Sequence, residues 1–339
     1  MWITSFTNKE TSMTFQAIVA RQDNDRVTAA VETVDDEFLT SGDVTVSIEW
    51  STVNYKDAIA LAGQRIIQTF PLIPGIDFAG TVEDSADPRF QKGDKVVATG
   101  WGLSQTHNGG FAQKARVPAD WLVKLAPSIS ARDAMAIGTA GFTAMLSVLA
   151  LERGNVSPER GDILVTGASG GVGSIAIAIL STLGYSVVSS TGKSSEEEYL
   201  RDLGAAAVVD RATLSAEGPP IAAERWAGVV DAVGGRSLAN ILAQTSYGGV
   251  VTTCGFVGGR DIPASVLPFI LRGLTLAGID SVRAPRAVRE QAWKRLATDL
   301  DLGKLASTVS VVGLGDVSQV ASQMLAGRIK GRTLVDVGR

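Results

Sequence analysis

The chain has 339 residues, with 31 Lys and Arg against 35 Asp and Glu, a formal charge of -4, one His and one Cys. A structural zinc site takes about four Cys or His ligands and a catalytic one about three protein ligands, so Cys254 and His107 cannot build either and no metal site is expected. A single cysteine excludes an internal disulfide and makes the cytosol the expected compartment. An evenly spread, mildly acidic charge lacks the cationic surface that a nucleic-acid partner needs.

Residues 1–12 are polar, lack the apolar core of a signal peptide, and precede Met13, which reads as the natural start. Short apolar runs follow at 15–20, 44–50, 78–82, 95–99 and 111–118, punctuated by Gly and Pro, and they predict a mostly β region. The pattern changes after Pro127. Ser130 followed by Asp133 is a capping-box-like helix start, and 131–151 reads as helix interrupted near 138–141.

From 162 onward, strands at 163–166, 186–190, 206–210, 228–232, 250–254 and 274–280 alternate with helices at 174–183, 194–203, 237–245 and 264–271. Strands apolar throughout predict a parallel sheet covered on both faces, and six of them make a full dinucleotide-binding fold. The uncharged stretch 163–192 is long enough to invite a membrane reading, but six glycines interrupt it. It reads as buried core, with no membrane partner. A helix at 287–302 and a strand, helix and strand at 307–337 are too small to hold a core of their own and are expected to return to the first domain. The expected organisation is a discontinuous β domain, 13–137 and 283–339, with a six-stranded parallel Rossmann domain, 138–282, inserted in it.

The strongest motif is Gly167-Ala168-Ser169-Gly170-Gly171-Val172-Gly173, after one predicted strand and opening the next helix. Ser169, Gly170, Gly171 and Val172 there predict a pyrophosphate held on free helix N–H groups; a tight structural turn is the other use of such a loop. An Asp or Glu about 20 residues on would mark NAD by binding its ribose hydroxyls. The sequence instead reads Ser189-Ser190-Thr191-Gly192-Lys193-Ser194, so Thr191 and Lys193 predict a 2′-phosphate and NADPH. Lys193 as a solvated lysine at a helix start is the alternative.

These motifs, with Asn54-Tyr55-Lys56-Asp57, Pro74-Gly75-Ile76-Asp77-Phe78-Ala79-Gly80, Gly109-Gly110-Phe111-Ala112, Gly138-Thr139-Ala140-Gly141-Phe142-Thr143-Ala144 and Cys254-Gly255-Phe256, resemble the zinc-free medium-chain dehydrogenase/reductase superfamily, quinone-oxidoreductase branch. Zinc-dependent relatives carry Gly-His-Glu where this chain has Gly75-Ile76-Asp77. Asn54 to Asp57 together with Leu276 to Val282, Pro285, Arg289 and Trp293 looks like the acryloyl-CoA reductase subfamily. The resemblance implies a GroES-like first domain, a homodimer, and NADPH-dependent reduction of acryloyl-CoA to propanoyl-CoA. Reduction of quinones or 2-alkenals is the rival activity, and a cofactor-binding structural protein of the crystallin kind is the rival of another class.

By the same resemblance Thr143 stands near the nicotinamide, Cys254 and Phe256 beside its ribose and carboxamide, and Arg332 on the pyrophosphate. Within the Asn54 to Asp57 cluster, Asn54 is expected to orient substrate or the nicotinamide ribose, Tyr55 to give a proton, with water the alternative source, and Asp57 to hold the cluster in register. Lys56, Arg283 and Arg289, with Arg286, are the candidate cations for the acyl-CoA phosphates. His107 reads as a solvated loop histidine, and Cys254 as a packed backbone contact rather than a nucleophile.

Overall fold

In the computed structural model, which describes residues 13–24 and 26–339, the chain runs β1 (Thr14–Asp23), β2 (Arg26–Asp35), β3 (Val44–Val53), α1 (Tyr55–Leu61), β4 (Asp77–Ser85), β5 (Lys95–Thr99), β6 (Lys114–Val117) and β7 (Leu122–Lys124). It continues with α2 (Ala131–Arg153), β8 (Ile163–Val165), α3 (Gly171–Thr182), β9 (Val187–Thr191), α4 (Glu197–Leu203), β10 (Ala207–Asp210), β11 (Trp226–Asp231), α5 (Gly235–Gln244) and β12 (Thr245–Thr253). The last elements are α6 (Leu267–Arg272), β13 (Thr275–Gly278), α7 (Arg286–Asp299), α8 (Leu302–Ala306), β14 (Val309–Gly313), α9 (Val317–Leu325) and β15 (Arg332–Asp336). The reading of Met13 as the start concerns residues 1–12, which lie outside the described residues.

Among the described residues the second half forms a six-stranded sheet in the order β10-β9-β8-β11-β12-β13, every pairing parallel. This is the predicted α/β fold. Strand order reverses between β8 and β11, and in such sheets a ligand sits at the carboxyl ends beside that reversal. The seven-stranded sheet of the first half has the order β14-β15-β3-β4-β5-β7, with β6 also on β3. The tail therefore lies against the first half: β15 runs antiparallel to β3, with Thr333 opposite Val53 and Leu334 opposite Thr52. That register sets Arg332 beside residue 54, across 278 positions of sequence.

α2 joins the two sheets. Its residues Phe142, Met145 and Leu149 share one core with Ile175 and Ile179 of α3 and with Trp293 and Leu296 of α7. α2 is also long and apolar enough to span a membrane, yet 94% of its most apolar window is buried inside the protein. The predicted interruption is a kink at Gly138, whose φ of 51° and ψ of -159° suit glycine. A Cβ there would stand 2.6 Å from Arg332 Nη2 and 2.7 Å from Asp77 Oδ2, so only a bare backbone fits between them.

Several elements differ from expectation, α1, β7 and α8 among them, which fall where none was predicted. β2 was not predicted, because Arg26–Asp35 is exposed at alternate and adjacent positions in a two-stranded hairpin with β1 and carries no buried-face signature. The helix predicted at 264–271 opens at Leu267 instead, with Pro268 in its first turn, where a missing N–H costs nothing.

Candidate active site

β8 leads into the glycine turn and α3 leads out of it. Gly170 is the N-cap of α3 and has no side chain to cap it, so the first-turn N–H groups of Gly171 and Val172 are left for a ligand. Gly173 lies against the turn so closely that a Cβ would collide with the Gly167 carbonyl, which lets the helix start tight on the strand. Ser169 is fixed from the tail, since its carbonyl accepts the Gly331 N–H at 3.0 Å. Free helix-start donors on a turn that a Cβ would fill fit a dinucleotide pyrophosphate.

At the end of β9 the Thr191 hydroxyl donates to Glu196 Oε2 (3.2 Å) and accepts the Lys193 N–H (3.2 Å). Lys193 Nζ lies 3.2 Å from Glu196 Oε1 and donates to the Gly327 carbonyl at 3.0 Å. Glu196 is only 6% exposed. Burial pushes its carboxyl up, but hydrogen bonds from Ser169 and Lys193, the Lys193 charge and the Thr191 hydroxyl together hold it below the usual range. Arg211 folds over Gly192, where no Cβ would fit. The strand end itself carries no acid, as read from the sequence, but Glu196 supplies one five residues past it, from a 3-10 turn over Ser194–Glu196.

The Asn54 to Asp57 cluster forms where β3 ends and α1 begins. Asn54 is extended (φ -112°, ψ 163°) and caps α1. Its N–H and Nδ2 donate to Asp57 Oδ2 at 2.9 and 3.3 Å, its Nδ2 also to Asp77 Oδ2 at 2.9 Å, and its Oδ1 accepts Arg332 Nη1 at 3.1 Å. Asp57 Oδ1 accepts the Ile76 N–H (2.9 Å), and Asp77 accepts both the Thr139 N–H (2.7 Å) and the Thr139 hydroxyl. Arg332 completes the network on the Ala136 carbonyl (3.1 Å) and Thr52 Oγ1 (3.0 Å).

Desolvation first, then the neighbouring Asp77, push the fully buried Asp57 up to about 7, against the pull of its hydrogen bonds. Desolvation also raises Asp77 and lowers Arg332.

One expected role is corrected by this geometry. Asn54 faces the protein, not substrate: both ends of its amide are committed to Asp57, Asp77 and Arg332. Arg332, 3% exposed, is a cation of the same buried seam. It also borders the nucleotide turn, with Nη1 3.0 Å from where a Gly171 Cβ would stand and three of its five N–H donors used in the seam. Tyr55 is 42% exposed on the first turn of α1. Lys56 is half-buried; desolvation lowers its ammonium, offset in part by the charges of Asp57, Asp77 and Asp280, and Arg283 lowers it further.

Of the arginines, Arg289 is a further correction. It is 1% exposed, and its five N–H donors meet the carbonyls of Ala284, Thr99, Ser281 and Val282 and the Thr99 hydroxyl at 2.7–3.1 Å. The guanidinium also lies 4.4 Å from the Trp101 ring centroid and 4.9 Å from that of Phe142. Burial lowers it to about 10. It ties the segment after β13 to β5 and has no N–H left for a phosphate. Arg286 is drawn to Glu290 (2.7 Å) and Asp120 (3.7 Å). Arg283 stays exposed on the loop after β13, close enough to Lys56 to act on its charge.

The remaining positions sit along the switch point. Thr143 is 4% exposed and its hydroxyl donates to the Thr139 carbonyl at 2.7 Å. Cys254 follows β12 with its N–H on the Asp231 carbonyl (2.9 Å), and burial raises its thiol to about 12, which removes it as a nucleophile. Phe256 is 52% exposed at the same strand end. His107 is corrected from solvated to buried: it is 9% exposed, bonds the Arg116 carbonyl at 2.8 Å and sits edge-on to Trp121 at 4.8 Å. Desolvation lowers its pKa, so it is a packed neutral imidazole.

Residues 40–127 match the alcohol dehydrogenase GroES-like domain family, and residues 171–298 match the zinc-binding dehydrogenase family. The zinc in that description has no ligand set here, since the chain's one His and one Cys are spent on Trp121 and on the end of β12.

The probable acrylyl-CoA reductase AcuI of Escherichia coli is 50% identical over 323 residues, covering 95% of this chain and 99% of that protein. Acrylyl-CoA reductase AcuI of Ruegeria pomeroyi is 48% identical over 327 residues, again 95% and 99%. The crystal structure of E. coli K-12 YhdH with bound NADPH superposes with a TM-score of 0.93 at 49% identity, covering 95% of this chain and all of that one. With near-complete coverage at such identity, the chain belongs to the medium-chain dehydrogenase/reductase superfamily, in the zinc-free branch typified by acrylyl-CoA reductase AcuI.

Proposed function

We propose that this protein reduces the 2,3 double bond of acryloyl-CoA to propanoyl-CoA with NADPH. The observation that carries the proposal is full-length likeness to the acrylyl-CoA reductases and to NADPH-bound YhdH, combined with a nucleotide turn and a Lys193 pocket of matching chemistry. NADPH, when bound, supplies the hydride for the β-carbon. The free N–H groups of Gly171 and Val172 hold the pyrophosphate, Lys193 and Thr191 the 2′-phosphate, and the strand end at Cys254 to Phe256 the nicotinamide half, with Thr143 beside it.

The chain's remaining task is to place a small alkene and to stabilise negative charge on the thioester oxygen. Within Asn54 to Asp57 this falls to Tyr55 and Lys56. The buried pair, Asn54 and Asp57, fixes the turn that presents them. An ammonium brought down by desolvation at the edge of the cleft is a ready donor to a developing oxyanion, and Tyr55 stands next to it as a hydroxyl donor. Arg283 is the cation left for the coenzyme phosphates once Arg289 is removed from that role.

The active unit is a homodimer in this proposal. β13 is the sheet's edge strand, and Val266, Ile270 and Leu271 next to it are 65%, 72% and 57% exposed. Such an apolar edge is a pairing surface. Light scattering gives the mass directly, and a monomer at assay concentration removes this part. For the activity, acryloyl-CoA, crotonyl-CoA, a quinone and a 2-alkenal are compared side by side with NADPH. Acryloyl-CoA is expected to have the highest kcat/KM, and a quinone exceeding it overturns the proposal.

A further inference from the structure

The pocket at the end of β9 holds a feature that phosphate recognition does not account for. Glu196, nearly buried, sits among the groups assigned above to the 2′-phosphate. Its two carboxylate oxygens take the Thr191 hydroxyl and the Lys193 ammonium, each at 3.2 Å. We propose that Glu196 is a specificity-determining residue of the cofactor site, an internal anion that competes with the 2′-phosphate for Lys193 and Thr191 and itself accepts the ribose hydroxyl of an unphosphorylated cofactor. This rests on the reading that Lys193 faces the 2′-phosphate.

The argument is one of charge and donors. A buried carboxylate persists only while it is paired. In the cofactor-free protein Lys193, Thr191 and Ser169 provide that pairing, so Lys193 is already engaged before any phosphate arrives and Arg211, packed over Gly192, is the pocket's remaining positive charge. A phosphate entering beside Lys193 meets a like charge and must share or displace the contacts that Glu196 holds. A 2′-hydroxyl meets the opposite situation. It brings no charge and one donor, and a carboxylate beyond the second strand of a dinucleotide fold is the usual acceptor for it. The site is thereby built for both cofactors at once, with Lys193 favouring NADPH and Glu196 restraining that preference. Gly192 keeps the bend between Thr191 and Lys193 bare, with Arg211 packed over it, so the 3-10 turn carrying Glu196 folds back onto the strand end.

The test is equilibrium binding of NADPH and of NADH to the substrate-free protein, followed by nicotinamide fluorescence, with no turnover involved. Glu196→Gln keeps the shape and an acceptor for Thr191 while removing the charge. It should tighten NADPH about tenfold and weaken NADH about threefold, moving the ratio of dissociation constants about thirtyfold. A ratio within twofold of wild type overturns the inference. Lys193→Ala separates this from the underlying reading: equal loss of both nucleotides means that Lys193 does not face the phosphate, and the inference falls with it. Selective loss of NADPH leaves that reading standing, and the Gln variant alone then decides. Should Glu196→Gln not fold by circular dichroism, Glu196→Asp, which draws the charge back by one methylene, must shift the ratio in the same direction by about threefold, and no shift there overturns the inference.

Discussion

The protein holds two ionic clusters of similar composition and opposite use. At the seam between the sheets, Asp57, Asp77 and Arg332 lie wholly inside, and Asn54, Thr52, Thr139 and the Ala136 and Ile76 main chain account for their hydrogen bonds. At the nucleotide end, Glu196 is buried but Lys193 is about half exposed, and Arg211 packs from outside. The first cluster fixes geometry, because both carboxylates and the Asn54 amide have their partners inside the protein. The second can exchange partners, because one of its charges reaches solvent. Polar groups are read as functional most safely where their pairing is incomplete, and the seam shows how a conspicuous sequence motif can be wholly structural.

The largest effect expected is on the seam. Arg332→Met leaves two carboxylates buried around Gly138 without a cation, and breaking a buried pair costs about 3–5 kcal/mol. Urea denaturation should register that loss. A change under about 1 kcal/mol would mean that the seam is wetter than its geometry indicates. Arg289→Met is next, at roughly 3 kcal/mol, since it strips partners from four carbonyls at once. It should leave the ratio of acryloyl-CoA to acryloyl-pantetheine activity unchanged. A selective loss with the coenzyme A substrate would return Arg289 to the phosphate site.

The seam also has a pH signature. The folded Asp57 carboxyl is raised from 3.8 to about 7, so between those values the folded chain holds more protons than the unfolded one. Stability attributable to this group is then greatest below about pH 4 and declines as pH rises towards 7. At about 1.4 kcal/mol per unit the full span is of order 4 kcal/mol. Wild-type and Asp57→Asn proteins compared by urea denaturation at pH 5 and pH 8 should differ in slope, with the variant flatter. Parallel slopes would place the titration elsewhere.

The two clusters were unequally legible in the sequence. Six alternating strands and helices, the glycine turn and the kink near Gly138 follow from local patterns, because periodicity and glycine geometry are properties of neighbouring residues. Asn54 to Asp57 stood out as a compact polar motif, but its inward-facing half is fixed by Arg332, 278 positions away, through the β3 to β15 register. Arg289 looked like one of three surface arginines because Trp101, Phe142 and Thr99, which enclose it, come from other elements. Glu196 escaped because the acid was sought at the strand end, and only the intervening 3-10 turn folds it back. The overlooked signal was an acid three residues after a lysine at a helix start, the spacing at which the two side chains meet.

The smallest effect tests the exposed cation that remains after Arg289 is set aside. Arg283 is held on its loop by Asp280 and its charge lowers the nearby Lys56 ammonium, so a coenzyme phosphate placed there gains one screened, solvated contact. Exposed ion pairs contribute about 0.2–1 kcal/mol each, which corresponds to a factor of about 1.4 to 5. Arg283→Ala should therefore raise KM for acryloyl-CoA about threefold and leave acryloyl-pantetheine, which lacks the nucleotide phosphates, unaffected. The same difference should shrink as salt is raised, because contacts of this kind are screened within about 10 Å at 0.1 M. If both substrates lose equally, Arg283 supports the loop after β13 rather than the substrate, and both clusters of the comparison then lie away from the acyl-CoA handle.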